Sequence, residues 1–313
     1  MTGPAPTDPA FAAILDHSRG KAVLADGDIH AVRRMMRERA ATRPGPAVDR
    51  IEDRSVPGPG GPIPVRIYTP EDAVGTVLAY HGGGWMAGDL DSFDPVCRHL
   101  ANEAGVAVVS VDYRLAPEHP FPAAVEDAWA ALCHVAEHAA AMGLPGGPVV
   151  VFGESAGANL AAVVSLLARD AGGPSILRQI LAYPSVDARA RTASMDIYAE
   201  NHLQTRRDVE HALRTYALDH GVSPEDWRLS PFLAPSHAGV APAFILSAEC
   251  DAIRDDSAAY AHRLMAEGVP VVHVRYAGMI HTFLQMRNTV DAAEVAQRQV
   301  ADETRRSFTQ ARG

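Results

Sequence analysis

The segment VVVFGESAGANL, residues 149–160, constrains this chain more than any other. An apolar run ends in Gly153-Glu154-Ser155-Ala156-Gly157, and a helix-like pattern of small and apolar residues begins at once. Glycines two before and two after a serine fit a strand-to-helix turn so tight that larger side chains would clash, and such a turn thrusts the serine hydroxyl outward. The hydroxyl also stands at a helix N-terminus, whose N–H groups favour negative charge. A chance GxSxG in a Gly- and Ala-rich chain is the bland alternative; the strand before and the helix after argue against it.

The rest of the chain repeats this alternation. TVLAY (76–80), VAVVSV (106–111), PVVVF (148–152), ILAY (180–183), PAFILSA (242–248) and VVHVRY (271–276) are short, nearly all-apolar runs of the kind that form strands covered on both faces. Between several of them lie AAVEDAWAALCHVAEHAAAMG and AGANLAAVVSLLARDAG, helical patterns that each end at Gly. Strand and helix in alternation predict an α/β fold with a mostly parallel, doubly wound sheet. VDRIEDRSVPGPGGPIPVRIYTP reads as two alternating strands joined at a Gly and Pro cluster, an antiparallel hairpin suited to an edge.

Two stretches break the pattern. Residues 1–45 carry two amphipathic helical segments, FAAILDHSR and IHAVRRMMRERAATR, and form an N-terminal arm. Residues 185–240 contain helix-like but no strand-like runs and read as an insertion. Open α/β sheets bind ligands at the C-terminal edge of their strands, so the insertion is expected to lie there as a helical cap, with the arm contributing. The core is then split into 46–184 and 241–313. Met195, Tyr198, Leu203, Tyr216 and Trp227 read as cap-helix core in preference to an entrance lining.

Composition narrows the partners. A 47% apolar alphabet with 21% charge excludes disorder, collagen and coiled coil. A formal charge of −10 opposes affinity for nucleic acid or anionic lipid and suits a neutral, small-molecule partner. The first twenty residues lack a secretory signal, and the charge-free helix at 155–168 is too short for a bilayer, so no membrane association is expected. Cys97, Cys133 and Cys250 are scattered singly, which suggests a reducing compartment and a cytoplasmic protein.

The remaining chemistry gathers around Ser155. His81-Gly82-Gly83-Gly84-Trp85 follows the strand TVLAY directly, and three glycines leave N–H groups unscreened, so that two of them can point at one anionic oxygen. An HGGG loop is a known partner of the GxSxG turn. A phosphate-binding loop is the rival, but the Lys-Ser/Thr ending and the GxGxxG spacing are both absent. His81 reads as structural. A nucleophilic serine needs a base and the base an orienting acid, in the chain order Ser, acid, His. Past PAFILSA come Glu249, Asp251 and Asp255; Asp251 is the first choice, Asp255 the second and Glu249 the third. Past VVHVRY and Gly278 comes His281, the best base. His134 and His138 share a helix face, but HExxH is absent and no metal is expected.

With HGGGW, GESAG and GMIHTF in this order, and with Asp112–Ala124 reading DYRLAPEHPFPAA, the chain resembles the hormone-sensitive lipase group of α/β-hydrolases, the bacterial family IV carboxylesterases. The resemblance runs from about Val65 to Phe283. It implies Ser155 as nucleophile, His281 as base, Asp251 as orienting acid, and the N–H groups of Gly83, Gly84 and Ala156 as oxyanion donors. It also implies hydrolysis of short- to medium-chain acyl esters through an acyl-enzyme, with no cofactor, and leaves open a homodimer through the edge of VVHVRY. Two departures stand out: Glu154 where the family has Asp, and DAIRD where DPLRD is usual. An amidase or acyltransferase would use the same residues. A non-catalytic receptor, as the scaffold supports in plants, lacks the base histidine that His281 supplies here.

Overall fold

The structure, a computed structural model, describes residues 5–6 and 8–311; the first residues of the expected arm and the last two of the second core part fall outside them. Its strands are β1 (Arg50–Val56), β2 (Ile63–Thr69), β3 (Thr76–Tyr80), β4 (Ala107–Val111), β5 (Val149–Glu154), β6 (Ile176–Ala182), β7 (Ala243–Cys250) and β8 (Val271–Ile280). They form one sheet in the order β1-β2-β4-β3-β5-β6-β7-β8. β2 runs antiparallel to both its neighbours, and every pairing from β4 to β8 is parallel. The α/β-hydrolase fold is thus present, and the hairpin forms one edge as its alternation predicts.

The helices are α1 (Ala10–Ser18), α2 (Ile29–Ala41), α3 (Leu90–Ala104), α4 (Ala123–His138), α5 (Ala156–Ala171), α6 (Ala193–Ile197), α7 (Arg206–Tyr216), α8 (Arg254–Ala266) and α9 (Asp291–Gln310). They cover both faces. Leu78 and Tyr80 of β3 pack in the layer of α4, α5 and α8, whereas Val77 and Ala79 pack with α3 and α9. Two covered faces explain why β3, β4 and β5 are buried at every residue and why their sequences are continuous apolar runs. α5 ends at the expected glycine, Gly172, in the left-handed conformation. α4 stops earlier, at His138, because Met142 and Leu144 turn back to bury against the core.

Residues 185–240 hold α6, α7 and two short 3-10 turns. Met195, Tyr198 and Tyr216 are buried and Trp227 is half-buried, so these four are packing residues; Leu203 reaches the cavity beside Ser155. α7 starts with a capping box in which Thr205 and Asp208 satisfy each other's backbone N–H groups. Asp208 also accepts the N–H of Leu24 at 2.7 Å and of Ala25 at 3.2 Å, which fastens the arm to the insertion. Arg33 of α2 donates to the carbonyls of Met86 and Ala116 and forms a two-pronged pair with Glu118.

Candidate active site

Ser155 sits between β5 and α5 with φ 55° and ψ −117°, a conformation that L-residues adopt only under surrounding constraint. The constraint is steric. A Cβ on Gly153 would lie 2.1 Å from the carbonyl oxygen of Gly157, and one on Gly157 would lie 2.0 Å from that of Tyr80. Both glycines of GxSxG are therefore demanded by backbone in contact with backbone. Asn159, one turn into α5, donates to the carbonyls of Ser185 and Leu229 and ties the elbow to the insertion.

His281 follows β8 directly. Its Nε2 is 2.9 Å from Ser155 Oγ, and its Nδ1 is 2.6 Å from Asp251 Oδ2. An ionised carboxylate only accepts, so Nδ1 carries the proton and Nε2 is left to accept from the serine hydroxyl. Asp251 is fully buried just past β7, and its Oδ1 accepts the N–H of Ile253 at 3.0 Å. The other two acids are engaged elsewhere: Asp255 accepts from Ser194 N–H and Arg254, and Glu249 accepts from Gly278 N–H.

The HGGGW loop faces this group. Gly83 and Gly84 have φ of 125° and 63°, and a Cβ on Gly83 would lie 2.1 Å from the carbonyl oxygen of Ala87. Among the described residues no turn or loop hydrogen bond uses the N–H of Gly83 or Gly84. Ala156 N–H stands at the first turn of α5. His81 is buried and stacks on Tyr113 at 4.2 Å, and burial lowers its pKa to about 4, which keeps it neutral. Tyr113 Oη donates to the His81 carbonyl at 2.7 Å and Ala116 N–H to that of Trp85. The DYRLAPEHPFPAA segment thus props the glycine loop.

Sequence reasoning noted Glu154 but not its state. The residue is fully buried; Oε1 accepts from Gln285 at 2.7 Å, while among the described residues Oε2 has no hydrogen-bond partner. Burial pushes its carboxyl up to about 7, against the opposing influence of His281, Gln285 and Tyr183. Burial likewise pushes Asp256 up to about 8, although it accepts the N–H of Val186. Gln285 and Tyr183 carry no sequence signal, since neither belongs to a spaced motif.

Ser155, His281, Gly83, Gly84 and Glu154 open on a cavity of about 160 Å³, walled by Leu24, Val32, Met35 and Met36 of the arm, Leu203 of the insertion and Met286. Among the described residues no cluster of three metal-ligating side chains occurs; His134 and His138 stack on each other at 4.4 Å. Nor is any described helix long and apolar enough to cross a membrane.

Residues 77–285 match a protein family described by the alpha/beta hydrolase fold. The chain is 46% identical over 293 residues to the carboxylic ester hydrolase LipN of Mycobacterium tuberculosis, covering 89% of this chain and 77% of that one. It is 44% identical over 255 residues to the carboxylesterase NlhH of the same species, with 79% of each chain covered. The hyperthermophilic esterase of Pyrobaculum calidifontis superposes with a TM-score of 0.88 at 36% identity, over 96% of this chain and 98% of that one.

Proposed function

This chain belongs to the α/β-hydrolase family as a hormone-sensitive lipase-like ester hydrolase, and on that premise we propose that it is a serine carboxylesterase acting on short- to medium-chain acyl esters. The observation that carries the proposal is the pair of short bonds from His281, one to Ser155 and one to Asp251. Neutral His281 takes the Ser155 proton as Oγ attacks the ester carbonyl, and Asp251 stabilises the imidazolium that forms. The oxyanion is held by the N–H groups of Gly83, Gly84 and Ala156; loss of one such donor typically costs about 3 to 4 kcal/mol. The acyl-enzyme forms as His281 returns its proton to the alcohol, and a water activated by the same base then releases the acid.

In this reading the arm 1–45 and the insertion 185–240 act together as the cap over the core 46–184 and 241–313, and they bound the acyl pocket. Support comes from the cavity, which both segments wall beside Ser155. A cytoplasmic setting belongs to the same proposal, supported by three cysteines outside any disulfide. β8 ends the sheet with Val272 exposed, which supports a homodimer through that strand; light scattering on the purified protein tests it.

Release of p-nitrophenol from acetyl, butyryl, octanoyl and palmitoyl esters tests the function, with Ser155→Ala as control. The expected result is serine-dependent turnover that peaks at short or middle chains. Wild type no more active than Ser155→Ala on all four esters overturns it, and turnover of matched amides in preference to esters would favour an amidase.

A further inference from the structure

The wall that α2 contributes to the cavity changes character along its length. Val32, Met35, Met36, Arg39 and Ala40 of α2 face the cavity at successive helical spacings, and Arg43, just past the helix end, lines it next, so the wall is apolar first and cationic last. The apolar end lies at the catalytic loop: Arg33 Nε bonds the Met86 carbonyl at 2.8 Å, and a Cβ on Gly84 would lie 3.0 Å from Leu24 Cδ1. The cationic end packs toward α3, where a Cβ on Gly45 would lie 2.8 Å from Arg98 Cβ. α3 lines the same cavity at Ser92, Pro95, Val96 and His99, again on one face. At a rise of about 1.5 Å per residue, Arg39 stands about 10 Å along α2 from Val32, and Arg43 lies two residues past the helix end.

These two arginines differ from their neighbours. Arg33 pairs with Glu118 at 2.7 Å and Arg37 with Asp89 at 2.6 Å. Arg39 and Arg43, among the described residues, make no ion pair or side-chain hydrogen bond. Arg39 as a residue is exposed, yet crowding around its guanidinium and then the like charge of Arg43 both lower its pKa. The other ionisable groups at this end are Arg287, paired with Glu103 and Glu294, and His99, which faces Glu103. The acids at the catalytic end are engaged or only partly ionised near neutral pH: Asp208 accepts from Leu24, Ala25 and Thr205, and burial raises Glu154. The net charge of −10 does not cancel this local field, because free charges farther than about 10 Å are screened.

We propose that Arg39 and Arg43 form an anion-binding end of the substrate cavity, so that preferred substrates are esters whose acyl chain ends in a second carboxylate. An apolar middle and a cationic end match a chain whose ester carbonyl lies at Ser155 while its terminal carboxylate reaches two unpaired guanidiniums. The inference rests on the esterase reading of Ser155, His281 and Asp251.

The test compares mono-p-nitrophenyl suberate with p-nitrophenyl octanoate, the same chain with and without the terminal carboxylate, on wild type, Arg39→Gln/Arg43→Gln and Arg39→Lys/Arg43→Lys. The expected ratio of kcat/KM, suberate over octanoate, is roughly tenfold higher in wild type than in the glutamine variant, carried by KM and shrinking as salt rises. The lysine variant retains part of it. An unchanged ratio in the glutamine variant, with octanoate still turned over by wild type, overturns the inference and leaves the esterase reading standing. Failure of wild type on both esters overturns the two together.

Discussion

The elbow at Ser155 and the cover above it are built in opposite ways. At the elbow the geometry is set by backbone against backbone: Gly153 meets Gly157, Gly157 meets Tyr80, and α5 behind them is buried over most of its length. The cover is set by side chains. Asp208 holds Leu24 and Ala25, Arg33 holds the carbonyls of Met86 and Ala116, and Arg207 pairs with Asp26 on the surface. Close backbone packing leaves one arrangement, whereas side-chain ties can rearrange, and the exposed Arg207–Asp26 pair contributes little and exchanges easily. On the proposed reading, chemistry belongs to the rigid region and substrate choice to the adaptable one.

The sharpest way to break that division is to remove the nucleophile. Ser155→Ala or His281→Ala is expected to lower kcat by roughly 10⁴- to 10⁶-fold, with KM little changed. Asp251→Asn should cost somewhat less, and Asp255→Asn much less, since only Asp251 touches His281. Steady-state hydrolysis of a short p-nitrophenyl ester measures all four, and a larger loss from Asp255→Asn would reverse the assignment.

Gly157→Ala tests whether backbone contact really holds the elbow. An added methyl 2.0 Å from the Tyr80 oxygen must displace a buried strand, at a cost of about 3 kcal/mol. Urea unfolding should show that loss together with reduced turnover, and a fully stable, fully active variant would mean that the elbow yields.

Glu154 sharpens the comparison from within the rigid region. Its carboxyl is raised from the ordinary 4.5 to about 7, so the folded state binds a proton that the unfolded chain has already released. Stability from this group is therefore present below pH 4.5 and is lost as pH rises from 4.5 through 7, by about 3 kcal/mol in all. Glu154→Gln should remove that share of the slope. Denaturant titrations at pH 5 and pH 8 read it as a smaller difference between the two than in wild type, where Asp256 adds a slope of the same sign.

The smallest effect is expected in the cover. Asp208→Ala removes the acceptor for Leu24, Ala25 and Thr205 at a cost of about 1 to 2 kcal/mol, and loosens the arm. Faster hydrogen exchange at residues 22–26 and a several-fold rise in KM, with kcat nearly constant, would fit the division. A collapse of kcat would place the cover within the chemistry.

Much of the fold was legible because its signals are local. Alternation in RIEDRSV and IPVRIYT marked the antiparallel hairpin whose outer strand, β1, is the sheet edge, and unbroken apolar runs marked buried strands, each shifted only at its ends: β6 begins at Ile176, ahead of the apolar run, and β8 continues through Gly278 to Ile280. Leu203 was less legible. It packs against the same core as Tyr198 while also reaching the cavity, and only the path of the chain brings it there.

The residue pattern alone determined the strand-turn-helix elbow, the α/β class and the order in which serine, acids and histidine occur, because steric exclusion at glycine and hydrophobic periodicity act over a few residues. Only the tertiary structure decided which acid meets His281, what burial does to Glu154, and that two arginines share a cavity with Ser155. These depend on side-chain direction and solvent exclusion between segments as far apart as Ser155 and His281, 126 residues along the chain, which sequence spacing does not encode.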